Sequence, residues 1–131
     1  SQEKKSRLMA ESWAAVQPSS VEGWGITVIE ANASGTPVIA SNVNGLKDSV
    51  VDGVTGMLVP VKNVRAFADA MDLLASTPEY RKSLTNAAYR WSRRFSWDNT
   101  AWLFYRILAE NLRAGLEYQA IGRIVVANYK K

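Results

Sequence analysis

The residues from Thr36 to Ser41 form an almost uninterrupted apolar run, and this run most restricts the fold that the chain can adopt. Gly35, directly before it, is typical of a helix that ends with a residue in the left-handed conformation. A strand that is apolar at consecutive positions is typical of a parallel sheet covered on both faces. We therefore expect an α/β fold in which residues 36–41 form a buried strand.

In the rest of the amino-terminal half, predicted helices and strands alternate along the chain, as an α/β fold requires. Residues 3 to 13 have the apolar spacing of a helix, and residues 13 to 18 predict a short buried strand with Trp13 in the core. A helix from about Ile26 to Ser34 follows, with its sheet side expected at Val28, Ile29, Ala31 and Ala33. A short helical turn at 45–50 and a third strand at 57–59 come after the apolar run. This order predicts a partial doubly wound, Rossmann-like parallel sheet of about three strands with flanking helices.

The carboxyl-terminal region is predicted to be helical. Asn63, Thr77 with Pro78, and Ser96 each mark a helix start. The first of these helices is expected to bury a face made of Phe67, Ala70, Met71 and Leu74. Residues 1–117 are taken as one domain portion, and residues 118–131 as a tail for which the pattern predicts no definite structure.

Composition excludes some classes of function. The 131 residues include no cysteine and no histidine, which removes thiolate chemistry and the commonest metal ligand. No apolar run approaches the roughly 20 residues of a membrane span. The net charge of +4 is compatible with phosphate-bearing ligands or an anionic lipid surface, but is too small to indicate nucleic acid. Arg90, Arg93 and Arg94 around Trp91 are better explained as a solvated helix end over a core tryptophan than as a nucleic-acid patch.

The segment from Ser19 to Ala31 carries the candidate chemistry. Glu22 and Glu30 are separated by seven residues, and between them Gly23-Trp24-Gly25 leads into the predicted helix. A glycine-rich turn before a helix presents free backbone N–H groups and the positive end of the helix dipole, which suits an anion. Glu30 lies about one turn inside the helix, so its carboxylate needs a partner or a ligand.

Other interpretations of this segment stay open at the level of the residues alone. A dinucleotide fingerprint would need a third glycine, and position 28 is valine. A lone Gly-x-Gly is also typical of an ordinary turn between a strand and a helix. Taken singly, Glu22 is compatible with a capping or solvated carboxylate and Glu30 with a partly exposed helix residue.

The segment as a whole resembles the signature of the GT-B retaining glycosyltransferases, the group 1 or glycogen-synthase-like family of sugar-nucleotide-dependent transferases. The resemblance is carried by Pro18-Ser19, Glu22-Gly23-Trp24-Gly25, Glu30-Ala31 and Gly35-Thr36-Pro37. It continues through Asn44-Gly45-Leu46 and the segment 51–60, and covers roughly residues 8 to 110. It implies that the chain is the carboxyl-terminal portion of a nucleotide-sugar-binding domain.

The resemblance also implies roles for individual residues. Glu22, matching the first glutamate of the signature, would lie near the donor sugar and act in catalysis. Glu30, matching the second, would bind the ribose hydroxyls, as a carboxylate can accept both hydrogens of a vicinal diol. The remaining donor-binding positions would be Gly23, Trp24, Gly25, Ile26, Thr27 and Val28. The donor would be a nucleoside-diphosphate sugar, with neither a cofactor nor a metal required.

Two parts of the family's pattern have no counterpart in these residues: an upstream Arg and Lys that hold the pyrophosphate, and the amino-terminal domain. We therefore expect the chain alone to be inactive and to need that domain or a partner chain. The alternative is a non-catalytic nucleotide-binding module or a subunit of a split transferase. A sheet without its first strands would expose an apolar edge and favour self-association. By analogy with the family, the expected location is the cytoplasm, including the membrane surface.

Overall fold

The computed structural model describes residues 1–111, and the chain divides into two compact units, Ser1–Phe95 and Ser96–Lys131. The first unit contains five helices and three strands within the described residues. Its helices are α1 Gln2–Glu11, α2 Ile26–Ala33, α3 Leu46–Ser49, α4 Val64–Ser76 and α5 Pro78–Ser92. Its strands are β1 Ala15–Gln17, β2 Val38–Ser41 and β3 Gly56–Val59. The described part of the second unit is α6, Trp97–Asn111.

The three strands form one parallel sheet in the order β1-β2-β3. Ile39 in β2 lies opposite Val16 of β1 on one side and Met57 of β3 on the other. Every residue of β2 is buried, as the continuous apolar run predicts. The α/β fold with a parallel sheet of about three strands and flanking helices is therefore confirmed.

The two faces of β2 contribute to two different hydrophobic clusters. Because successive side chains of a strand point to opposite faces, Val38 and Ala40 pack on one side and Ile39 on the other. The first side is covered by residues of α2, α3 and the segment after it: Val28, Ala31, Leu46 and Val50. The second side is covered from β3, α4 and α5 by Val59, Phe67, Ala70, Leu74 and Leu84. This arrangement accounts for the burial of all four residues of β2.

The predicted helix boundaries are largely confirmed. Gly35 follows α2 with a φ of 79°, the left-handed conformation expected of a helix stop. The side chain of Asn63 accepts a hydrogen bond from the N–H of Ala66 at 3.0 Å and caps α4. In the second unit, Ser96 Oγ accepts from the N–H of Asn99 at 3.1 Å. The predicted tail at 118–131 and the boundary after 117 lie outside the described residues.

Some burial predictions were wrong. Trp13 was expected in the core, but it is 62% exposed and the guanidinium of Arg81 lies over its ring at 4.4 Å from the centroid. The strand predicted at 13–18 is shorter and only half-buried, with Val16 42% exposed. Among the described residues β1 has a strand neighbour on one edge only, so an edge position accounts for its exposure.

Smaller errors concern helix faces and ends. Ala33 was expected on the buried side of α2 and Met71 on that of α4, and both are exposed. The helix predicted at 3–13 ends at Glu11, because Ser12 adopts an extended conformation while its N–H donates to Met9 O. Within the part of the chain that the structure describes, no helix combines the length and apolar character needed to cross a bilayer.

Asn32 is the unexpected residue of the α2 core face. Its side chain is fully buried, yet within residues 1–111 neither Oδ1 nor Nδ2 has a hydrogen-bond partner. A buried amide without partners has lost its hydrogen bonds to water and has formed none within the protein. This destabilises a fold by about 1–3 kcal/mol.

We expect Asn32→Leu to raise the free energy of unfolding by about 1–3 kcal/mol, because leucine has the same branching and no polar atom to satisfy. Urea denaturation would measure the change. The matched control is Asn63→Ala, which removes an asparagine with a hydrogen-bonded cap and should lower stability by about 1 kcal/mol. A destabilised Asn32→Leu variant would show that its amide has a partner in solution.

Candidate functional site

The loops that follow β1 and β2 meet at the carboxyl edge of the sheet. Parallel strands place both loops on the same edge, where α/β folds bind ligands. A Cβ on Gly45 would lie 2.3 Å from the carbonyl oxygen of Glu22 and 2.5 Å from that of Gly23. Gly45 also has a φ of 87°. The second loop therefore supports the first by a backbone contact that only glycine permits.

The side chain of Glu22 is half-buried and is held at both oxygens. Oε2 accepts from the Gln17 amide at 3.1 Å and from Ser19 Oγ at 3.5 Å. Oε1 accepts from the N–H of Gly23 at 3.3 Å. All of these donors are neutral, so none of them offsets a negative charge on the carboxylate, and its oxygens have further acceptor capacity.

The first turn of α2 offers backbone donors. Gly25 occupies the position before the helix with a φ of 79°, and among the described residues no side chain caps the first turn. Within residues 1–111, the first helical N–H with an acceptor is that of Val28, which donates to Gly25 O at 2.9 Å. The N–H groups of Ile26 and Thr27 are therefore left for a ligand, and both residues are exposed whereas Val28 is buried.

Glu30 pairs with a cation from α1. Its Oε1 accepts from Lys5 Nζ at 2.8 Å and from Gln2 Nε2 at 3.3 Å. The hydrogen bond from Lys5 lowers the pKa of Glu30 below its ordinary value, against a smaller opposing effect of desolvation. Both donors use Oε1, and no hydrogen bond within the described residues uses Oε2. The partner predicted for this carboxylate is thus present, and one of its oxygens remains for a ligand.

Trp24 belongs to a small aromatic group. Its ring meets Phe95 edge-on with centroids 4.8 Å apart, and Phe95 meets Trp91 in the same manner at 5.2 Å. Trp91 is half-buried, its Nε1 donates to Ser49 O at 2.9 Å, and Arg94 lies 5.1 Å above its ring. These contacts connect the glycine turn to the end of α5.

The structure places the predicted site residues on one continuous segment, from Glu22 in the loop between β1 and α2 to Glu30 in α2. Sequence reasoning missed three of the residues that hold this segment, Gln17, Lys5 and Phe95, and it used Gly45 as part of the family resemblance without identifying its contact with the first loop. Gln17 had a detectable signal, because it is a polar residue that ends an apolar strand just before the turn. Lys5, Phe95 and Gly45 come from separate elements, so only the fold brings them to the segment.

Gly45→Ala should be the more damaging of two glycine substitutions. Gly53 also has a positive φ, 70°, but an added Cβ there meets nothing within 4 Å. Gly53→Ala should lower the free energy of unfolding by about 1–2 kcal/mol through backbone strain alone. Gly45→Ala should cost at least about 2 kcal/mol more, because its Cβ must displace backbone. Equal losses in urea denaturation would contradict the close approach of the two loops.

Lys5→Met should raise the pKa of Glu30, because it removes the strongest interaction that favours the ionised carboxylate. A carboxyl-carbon NMR titration would measure it, with Lys4→Met as the control. The pKa of Glu30 is lower in the folded chain than in the unfolded chain. The ion pair therefore stabilises the fold at pH values above the ordinary pKa of 4.5. That contribution is lost as the pH falls through the lowered value. An unchanged pKa in Lys5→Met would disprove the pairing.

Comparisons with a family model and with curated proteins agree on the family of this chain. Residues 1–91 match the family model described as glycosyl transferases group 1. D-inositol 3-phosphate glycosyltransferase from Kribbella flavida is 45% identical over 84 residues, which are 64% of this chain and 20% of that protein. The chain thus spans about a fifth of the length of the curated relatives it matches.

Solved structures agree with this assignment. Sucrose-phosphate synthase from Thermosynechococcus elongatus is 31% identical with a TM-score of 0.74, over 82% of this chain and 27% of that one. HepE from Anabaena, solved in complex with UDP, has the same TM-score of 0.74 at 23% identity, over 79% and 29% of the two chains, a likeness of fold. With its parallel sheet and the family match over residues 1–91, the chain belongs to the group 1 glycosyltransferases of the GT-B fold.

Proposed function

We propose that this chain is the donor-binding part of a retaining glycosyltransferase that transfers a sugar from a nucleoside-diphosphate sugar to an acceptor. One observation carries the proposal. Two carboxylates, Glu22 and Glu30, flank the start of α2, where exposed backbone N–H groups have no side-chain cap. Such a segment combines acceptors for sugar hydroxyls with donors for phosphate oxygens.

Glu30 binds the ribose of the nucleotide. A vicinal diol presents two O–H donors, and a carboxylate can accept both. Lys5 and Gln2 hold Oε1 from one side, which leaves Oε2 as the acceptor with free capacity. An oriented carboxylate loses less side-chain freedom on binding than a mobile one, which favours affinity.

Glu22 acts at the donor sugar. Its three neutral hydrogen-bond donors leave the negative charge intact. A fixed negative charge stabilises the positive charge that develops on a sugar as the glycosidic bond breaks, and this stabilisation is greater in the transition state than in the ground state.

The turn and the helix start hold the pyrophosphate. The N–H groups of Ile26 and Thr27, with that of Gly25 just before them, lie at the positive end of the α2 dipole. Gly23 contributes through its backbone conformation, since its N–H donates to Glu22 Oε1. Val28 anchors this turn in the core, and Trp24 forms an aromatic wall beside it. Fixed backbone dipoles stabilise the departing nucleoside diphosphate, so the proposed reaction requires neither metal nor cofactor.

The chain by itself is proposed to be inactive in transfer. The segment that it shares with its relatives covers only about a fifth of their length. Acceptor binding is assigned to an amino-terminal domain or to a partner chain. The same short span supports the alternative function, a non-catalytic nucleotide-binding module or a subunit of a split transferase. Sugar transfer by the purified chain at the rate of a complete enzyme would refute the inactivity.

The proposed setting is the cytoplasm, including an anionic membrane surface. The net charge of +4 is compatible with both phosphate-bearing donors and acidic lipid headgroups. The half-buried edge of β1 supports self-association when no other strand covers it. Nucleic acid is not among the proposed partners.

Titration of the purified chain with UDP, GDP, ADP and their sugars, followed by tryptophan fluorescence, tests donor binding. We expect saturable binding of one nucleotide class, because Trp24 lies within the proposed site. Glu30→Gln should weaken that binding by about tenfold or more, as it removes a charged acceptor from the ribose.

The matched control is Glu79→Gln, a glutamate in the first turn of α5, which should leave affinity unchanged. Equal affinity of the parent chain and Glu30→Gln would remove Glu30 from the site. If none of the nucleotides or nucleotide sugars binds saturably, the proposed function is refuted.

A further inference from the structure

The side-chain amide of Gln17, at the end of β1, donates two hydrogen bonds. Its Nε2 donates to Glu22 Oε2 at 3.1 Å and to Ser19 Oγ at 2.9 Å. A primary amide has two N–H donors, so both are used. A carboxylate can only accept, which requires that the nitrogen and not the oxygen of the amide faces Glu22. The side chain thus bridges the end of β1 and the turn that follows it.

The three donors to Glu22 differ in what holds them. Ser19 and Gly23 lie in the same irregular loop as Glu22. Gln17 lies in β1, where it is opposite Ala40 of the fully buried strand β2. Of the three donors, Gln17 is therefore the one that connects the carboxylate to the sheet. Groups held on strands are placed more accurately than groups held on loops.

The two carboxylates of the site are also held by partners of different charge. Glu30 is paired with the cation of Lys5, whereas Glu22 is fixed by a neutral amide. A lysine at position 17 would orient Glu22 equally well but would offset its charge. A neutral donor fixes the position of the carboxylate and leaves its charge available for the donor sugar.

We propose that Gln17 is a positioning residue that fixes Glu22 against the donor sugar. This inference rests on the proposed function, since it needs Glu22 to contact the sugar. It predicts that Gln17 affects recognition of the sugar and not of the nucleotide. A residue with a merely structural role would affect both.

The test uses Gln17→Met, which keeps the length of the side chain and removes its donors. We expect affinity of the chain for the nucleotide sugar to fall about threefold to tenfold, with affinity for the free nucleoside diphosphate unchanged. Glu22→Gln should show the same selective loss. The double variant should lose little beyond either single one, because Gln17 acts through Glu22.

Gln2→Met is the matched control, since Gln2 is a glutamine that donates to the other carboxylate, Glu30. It should change the affinities for nucleotide and nucleotide sugar by the same factor. If Gln17→Met does not fold, Gln17→Glu takes its place, and repulsion between two carboxylates should produce the same selective loss.

Three results would overturn the inference about Gln17 and leave the proposed function intact: nucleotide sugar bound as tightly by Gln17→Met as by the parent, equal losses for nucleotide and nucleotide sugar, or additive losses in the double variant. A parent chain that binds no nucleotide refutes the proposed function, and the role of Gln17 with it.

Discussion

The burial of β2 on both edges and both faces is the constraint on which the rest of the first unit depends. A strand of four residues, Val38–Ser41, pairs with a parallel neighbour on each side. Its alternating side chains then pack against two separate hydrophobic clusters. Each flanking helix is placed by the cluster that it joins, so the register of β2 determines where α2 begins relative to the sheet edge.

The candidate site follows from that placement. Parallel pairing brings the loops after β1 and β2 to one edge, and Gly45 permits them to touch through backbone atoms. The glycine turn is therefore supported from below by a second loop and from the side by the ring of Phe95. A turn held in this way can keep its N–H groups oriented before a ligand arrives, which lowers the entropy lost on binding.

The two glutamates of the signature occupy different electrostatic environments although they are close in sequence. Glu30 faces a lysine from α1, which favours its ionised form, and within residues 1–111 only one of its two oxygens accepts a hydrogen bond. Glu22 is held by neutral donors from a strand and a loop. This difference is compatible with the proposed function, in which a negative charge that no cation offsets acts at the donor sugar.

Local patterns in the sequence determined much of the fold. The continuous apolar run predicted the parallel sheet, Gly35 and Asn63 predicted helix boundaries, and the spacing of Glu22 and Glu30 with the glycines predicted the family and the candidate segment. Each of these signals depends on a backbone preference or on a few neighbouring residues. That is why they can be read without knowing what packs against them.

Only the tertiary structure decided which side chains are covered and which residues support the site. Trp13 is apolar enough for a core but lies beside an edge strand and is exposed. Asn32 is polar but lies on the buried side of α2. Lys5, Gln17 and Gly45 reach the glutamates or their loop from α1, β1 and the loop after β2. Burial and contact between distant segments depend on the register of the whole sheet. No local preference encodes that register, because it is set by packing across elements.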